Sequence, residues 1–408
     1  MSVEFSKPFK ILSLDGGGIR GVMSAQILQE VEQQIFDKTG KKLHEYFDMI
    51  AGTSTGSILA AGIALGKDSK EIIQLYQDWG MKIFPYQDLF AWERIGLILK
   101  YGLSAPKFSN EGLIEALKNQ LVDQNKNEVA IKDLGTPTQI PNTRKPTLLI
   151  PAYDTLHRNT TFFTNSHPKT YTNPPENPEP TWGQRWYDDT PLWKICVSSA
   201  SAPTFFPGYE LVDELEDQKV QAQWRFPHVD GGVSANNPAL CAISHAINHN
   251  LTDFKDISVL SIGTGETTEP YSFQEIEGWG LLQWAERIAP VFMGGQGSVT
   301  SQICEQIMCL LERTEGIKER RYLRLQFELN RKLGDIDPKD PRKARPILTK
   351  EQRVNEFTGE LLSEAMDDAR PENIQQLIKT AIAFIEKGKC HQGFPVKEAI
   401  ADFIDVNP

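Results

Sequence analysis

The chain has 408 residues, 40% of them hydrophobic and 24% charged, proportions that exclude global disorder. Its 43 basic and 54 acidic side chains leave a formal charge of −11, which argues against nucleic-acid binding as its main business, because that needs a basic stripe. At roughly 150 residues per domain the length allows two or three units, although a single α/β unit can run to about 250.

The first dozen residues, MSVEFSKPFKIL, lack the long apolar core of a secretion signal. Phe9 to Leu14 then reads as a short strand, Asp15-Gly16-Gly17-Gly18 as a turn, and Ile19 to Phe36 as an amphipathic helix with Ile27, Leu28, Val31 and Ile35 at helical spacing. The pattern repeats at once, with a strand at Phe47 to Ala51, a turn at Gly52 to Gly56 and a small-residue helix at Ser57 to Leu65. The most apolar stretch, Ser57 to Gly66, is shorter than the about 20 residues needed to cross a bilayer. Two strand–turn–helix units in succession predict an α/β fold with a mainly parallel sheet and helices on its faces.

Further strands are expected at Pro146 to Ala152, Arg225 to Val229 and Ile257 to Ile262, the last ending in Gly263-Thr264-Gly265. Asn165 to Pro180 is polar and carries five of the 25 prolines, so it reads as a loop within an insertion spanning about 105–190. Arg321 to Phe327 alternates like a strand, and Lys350 to Asp368 and Glu372 to Lys387 read as helices. This predicts a main domain over 1–330 and a helical cap over 331–408 packed on it. The five cysteines are odd in number and form no C-x-x-C pair, so free thiols in a reducing cytoplasm are expected, with no structural metal.

Two motifs compete for the chemistry. Gly16-Gly17-Gly18-Ile19-Arg20-Gly21 has the spacing of a dinucleotide fingerprint opening a helix. Gly52-Thr53-Ser54-Thr55-Gly56 has that of a nucleophile elbow at a strand-to-helix corner. A dinucleotide fold wants an acid at the end of the second strand, and that strand ends in Gly52-Thr53-Ser54, with Asp48 at the wrong end. The elbow accounts for both motifs. Gly52 and Gly56 clear space for a strained Ser54, the helix starting near Thr55 favours developing negative charge, and Gly16 to Gly18 offer backbone N–H groups to an oxyanion. Arg20 either adds positive charge there or bonds nearby loop carbonyls, and the residues alone do not choose.

A nucleophilic serine needs a base. His245 and His249 lie one helical turn apart without the glutamate of a zincin motif, and read better as surface helix residues than as a metal pair. His44, His157, His167 and His391 have no supporting pattern. Asp230 does better: Val229-Asp230-Gly231-Gly232 closes an apolar run, Gly231 and Gly232 permit close approach, and Asn237-Pro238 follows as a helix start. Partial burial would raise the carboxyl pKa and make it a better proton acceptor.

In order, D-G-G-G-I-R-G, G-T-S-T-G and D-G-G resemble the patatin-like phospholipases. Ser199-Ala200-Ser201-Ala202-Pro203-Thr204-Phe205-Phe206-Pro207 and Ser261-Ile262-Gly263-Thr264-Gly265 are similar to two further family segments, and the likeness runs from about Phe9 to Gly265, fainter to Asp368. The resemblance implies a three-layer sandwich and a Ser-Asp dyad without histidine or cofactor: Ser54 as nucleophile, Asp230 as base and the Gly16 to Gly18 amides as oxyanion hole. It implies a phospholipid or other acyl-lipid substrate and a cytoplasmic, bacterial-type enzyme touching membranes transiently. Some bacterial members are antiphage effectors switched by a cyclic nucleotide, but no sensor domain is recognisable in the sequence, and a homodimer and a small-molecule activator are left open. The aromatic-rich stretches Phe84 to Leu99 and Gly278 to Met293 read as a lipid-facing lid or, preferentially, as packed helices.

Overall fold

The computed structural model describes residues 8–86, 91–102, 104–134, 146–166, 185–212, 225–269, 271, 273–314, 321–330, 336–337, 340–344 and 353–408. Most of the proline-rich run, His167 and part of the Phe84 to Leu99 stretch lie outside the described residues. The main sheet has eight strands: β1 Phe9–Leu14, β2 Met49–Gly52, β3 Thr147–Asp154, β4 Asn159–Thr164, β5 Tyr209–Val212, β6 Arg225–Asp230, β7 Ile257–Ile262 and β8 Tyr322–Leu325. Their order is β5-β6-β3-β2-β1-β7-β8, with β4 also paired to β3. The β3-β2-β1-β7-β8 part is parallel throughout.

The inner strands are apolar because both faces are covered. Leu12, Leu14, Ile50, Leu148, Ile150, Leu260 and Ile262 point into one core, shared with the Gly21–Thr39, Ser69–Ile83 and Pro371–Lys387 helices. The alternate residues Ile11, Met49, Ala51, Leu149, Ile257 and Val259 pack on the other face against the Ala239–Asn248 and Leu281–Thr314 helices. The result is a helix–sheet–helix sandwich, as expected.

The expected insertion over 105–190 is not peripheral, since it supplies β3, the strand that carries β2, β4 and β6. β4 covers one edge of β3 from Leu149 to Asp154. The other edge is shared, with β2 parallel on Thr147 to Leu149 and β6 antiparallel on Ala152 to Asp154. β2 and β6 therefore run toward each other along that edge and meet end to end. Parallel pairing alone, as read from the sequence, does not anticipate this.

The C-terminal helices Pro371–Lys387 and Val396–Val406 pack on the Gly21–Thr39 helix. The helix expected over Lys350 to Asp368 does not form among the described residues, where 353–370 is turns and irregular chain. Asn355 explains it. Its side-chain oxygen accepts from the N–H groups of Phe357 and Thr358 at 3.0 and 3.1 Å, a local turn that competes with helical bonding.

Spanning β7 beneath the loop after β1, Asp15 and Arg324 form a buried bidentate pair with contacts of 2.9 and 2.5 Å, and Arg324 also donates to Ser261 at 2.7 Å. Asp15 holds the guanidinium protonated, above its ordinary range. Arg324→Leu strands that carboxylate without its partner and is expected to lower unfolding free energy by about 3–5 kcal/mol in urea titration. A loss below about 1 kcal/mol would put the pair in the class of exposed bridges instead.

Candidate active site

Ser54 lies one residue beyond β2, after Thr53, at the corner into the Thr55–Ala64 helix. Its φ of 54° and ψ of −122° are disfavoured for a residue with a side chain, a strain of roughly 1–3 kcal/mol. Neighbouring bonds hold it there: the Gly56 N–H donates to Thr53 O at 2.7 Å, and the Ser57 N–H and hydroxyl donate to Ser54 O at 2.9 and 2.6 Å. Thr53 donates its hydroxyl to Ala235 O at 2.6 Å, and Thr55 is hydrogen-bonded to Tyr76. A Cβ on Gly52 would stand 2.0 Å from Gly56 O, and one on Gly56 2.2 Å from Leu14 O, so neither glycine can carry a side chain.

At the end of β6, Asp230 meets this corner. The Ser54 hydroxyl donates to Asp230 Oδ2 at 2.6 Å, and the Gly232 N–H donates to Oδ1 at 2.6 Å. Asp230 is 1% exposed and Ser54 6%. Burial pushes the Asp230 pKa up to about 6, against the opposing pull of the Ser54 and Gly232 hydrogen bonds. The pair is thus a hydroxyl and a carboxylate in direct contact, with the carboxylate basic enough to take a proton near neutral pH. Gly231 turns the chain away, where a Cβ would lie 2.1 Å from Pro151 O.

The glycine turn lies alongside, but its three amides are not equivalent. The Gly16 N–H is taken by Asn236 O at 3.1 Å, which corrects its expected place among the oxyanion donors. The N–H groups of Gly17 and Gly18 meet no acceptor among the described residues. Gly18 adopts φ 59°, and a Cβ there would stand 2.1 Å from Met366 O. Arg20, buried at 5% exposure, donates to Gly17 O and Glu364 O at 3.4 and 3.5 Å. It borders a neighbouring cavity instead of the one holding Ser54, so its geometry is that of a loop-carbonyl ligand. Burial lowers its pKa to about 10.

Ser54, Asp230 and Gly18 open onto a cavity of about 240 Å³ whose walls are almost wholly apolar, among them Ile58, Ile83, Leu113, Phe205 and Phe206. Ile288, Phe292 and Met293 of the Leu281–Thr314 helix close it from above, and Met366 from the side. The Gly278 to Met293 stretch is thus a wall of the pocket as well as a packed helix, with Phe292 63% exposed on its outer side. Sequence reasoning missed Met366, and it missed Gln296, whose side chain accepts from the Asn236 N–H at 2.7 Å and donates to Ser234 O.

No histidine among the described residues lines this cavity or bonds Ser54 or Asp230. His245 and His249 are half-buried rather than surface residues, with rings 3.7 Å apart and Ser166 Oγ 3.0 and 3.4 Å from their nitrogens. Among the described residues no group of three or more His, Cys, Asp or Glu is placed to hold a metal ion. Nor is any helix among them long and apolar enough to cross a membrane.

A family model described as patatin-like phospholipase matches residues 12–243, more than half of the chain. Among curated relatives, the potato protein called probable inactive patatin-3-Kuras 1 (Solanum tuberosum) is 32% identical over 301 residues, covering 67% of this chain and 68% of its own. Patatin-like protein 2 of Arabidopsis thaliana is 32% identical over 296 residues, covering 67% and 64%. The chain thus spans about two thirds of the length of these relatives. Of solved structures, human GIVD cytosolic phospholipase A2 is 11% identical, covering 98% of this chain and 60% of its own, with a TM-score of 0.43.

Because the folded-state pKa of Asp230 lies above its unfolded value of 3.8, the folded chain binds the extra proton between these values, and stability falls as pH rises from about 4 to about 6. Above that window the penalty is fully present. Asp230→Asn is therefore expected to raise stability at pH 8 by on the order of 2–3 kcal/mol, and by much less at pH 4.5. Thermal midpoints at the two pH values check this, and an equal shift at both would refute the assignment of the proton.

Proposed function

The chain belongs to the patatin-like phospholipase family, and on that premise we propose that it is a lipid acyl hydrolase of the phospholipase A type. Its substrates in this reading are fatty-acyl esters of phospholipids or galactolipids. The observation that carries the reading is the 2.6 Å hydrogen bond from the Ser54 hydroxyl to a buried Asp230 at the base of an apolar cavity. Ser54 is the nucleophile and Asp230 the general base. As Oγ attacks the ester carbonyl, its proton passes to Asp230, and the Gly17 and Gly18 N–H groups donate to the oxygen that gains charge. Collapse of the tetrahedral intermediate breaks the ester C–O bond, the leaving alkoxide takes the proton back from Asp230, and an acyl-Ser54 ester remains. Water, deprotonated in turn by Asp230, attacks this ester, and the fatty acid departs as Oγ recovers the proton.

Two alternatives fit less well. A noncatalytic scaffold has no physical reason to keep a serine at φ 54° against a buried carboxylate. A dinucleotide site needs room at the glycine turn, where Gly18 faces an apolar cavity of about 240 Å³ and Gly16 borders a polar one of only about 190 Å³. The half-exposed rim residues Val233, Ile288 and Phe292 support transient contact with a lipid surface at the cavity mouth, by an enzyme acting from the cytoplasm.

Ser54→Ala is expected to lower kcat on a soluble p-nitrophenyl ester by more than about 10³-fold and to abolish covalent labelling by an alkyl fluorophosphonate. Retained turnover in the variant would end the proposal. At the rim, Val291 is 41% exposed and does not line the cavity. Val291→Glu is expected to slow hydrolysis of phosphatidylcholine vesicles while leaving the soluble ester untouched. Equal rates on vesicles would remove the lipid-contact surface.

A further inference from the structure

The end-to-end meeting of β2 and β6 leaves a seam on the edge of β3. Pairing with β2 stops at Leu149 and pairing with β6 begins at Ala152, so at the seam neither strand continues the ladder. Buried backbone N–H and C=O groups there still need partners. The Leu192–Ala200 helix ends at this place, and its last carbonyls have no acceptor role inside the helix. Ser199 O accepts the Gly231 N–H at 3.0 Å, and Ser201 O accepts the Asp230 N–H at 3.0 Å. The Ser199 hydroxyl completes the set: it donates to Pro151 O at 2.7 Å and accepts the Ser54 N–H at 3.0 Å. Its single proton is engaged by Pro151, which leaves a lone pair for Ser54. Ser199 is fully buried.

We propose that Ser199 is a positioning residue that sets the Ser54–Asp230 contact, by tying the backbone of the serine and the backbone beside the carboxylate to one helix end across the seam. The proposal rests on Ser54 and Asp230 being the reacting pair. Ser199 touches neither the substrate cavity nor a reacting side chain, and acts through the main chain. Removing its hydroxyl leaves the Ser54 N–H without an acceptor and Pro151 O without a donor, so the strained corner relaxes and Oγ moves off the carboxylate.

With a soluble short-chain p-nitrophenyl ester, Ser199→Ala is expected to lower kcat about 10- to 100-fold while KM stays within about twofold. The acid limb of the kcat profile is expected to move to higher pH, because a longer Ser54–Asp230 bond stabilises the carboxylate less. Ser199→Cys, which fits the space with a weaker acceptor, is expected to fall between the two and carries the test if the alanine variant folds poorly. Wild-type kcat and an unmoved pH profile in both variants would overturn the proposal, as would a kcat loss that follows lost folded fraction with no recovery by cysteine. Ser54→Ala run alongside separates the two ideas: if it keeps full activity the dyad itself fails, whereas if it is inactive and Ser199→Ala keeps the wild-type kcat and pH profile, only the positioning role fails.

Discussion

Two strand ends converging on one edge of β3 is the constraint on which the site depends. Ser54 and Asp230 are 176 positions apart, and neither side chain is long. A hydroxyl and a carboxylate reach 2.6 Å only if their backbones are brought almost into contact. Parallel neighbours would hold the two strand ends side by side, about a strand spacing of 4.8 Å or more apart, each with its own ladder. The antiparallel approach of β6 aims its end at that of β2 instead. Gly231 stands where this approach brings main chain against Pro151 O of β3, while Gly52 and Gly56 make the elbow compact against itself and against Leu14 O of β1.

The same closeness works against stability. A serine in a left-handed conformation and an acid with its pKa raised by burial both oppose folding, and they sit where the ladder is interrupted. What holds them is the layer on either side. The sheet is apolar on both faces across β1, β2, β3 and β7, so the strand ends are fixed by burial that extends far beyond the site. The Thr55–Ala64 helix is buried along its whole length, which leaves the elbow no freedom to swing outward. Rigidity of this kind keeps the Ser54 hydroxyl and the Asp230 carboxylate aligned at 2.6 Å.

Most of this architecture was legible before any coordinate. β1, β2, β3 and β7 announce themselves because a strand buried on both faces is a short apolar run ended by a turn, whereas β6 alternates in burial, and Ser54 and Asp230 stand at the ends of β2 and β6. The direction of β6 was not legible, since an apolar run carries no sign of its polarity. Nor was the difference between Gly16 and its two neighbours, because which amide is free depends on Asn236, a partner some 220 residues away. Ser199 lay inside a recognised segment without a role, as its hydrogen bonds run to two other parts of the chain. Lys350 to Asp368 is expected to be helical and its described part is irregular, because the Asn355 side chain satisfies the backbone first.

The Ser54–Asp230 corner and the wall of its cavity are divided along the chain. Ser54, Asp230, the glycine turn and Ser199 all fall within the 12–243 stretch that the family shares. Much of the cavity wall does not: Ile288, Phe292, Met293 and Met366 come from beyond it. The outer part also reaches into the reacting end, because Met366 O accepts the Ile19 N–H at 2.8 Å and Gln296 holds Asn236, whose carbonyl occupies the Gly16 amide. The C-terminal third is therefore no detachable cap. It carries the glutamine that holds Asn236, the acceptor of the Gly16 N–H, and it shapes the apolar cavity beside Ser54. A change in the roof helix alters the cavity volume directly and reaches the glycine turn through Gln296. Volume tolerates substitution by small steps, whereas the glutamine hydrogen bond is either made or lost.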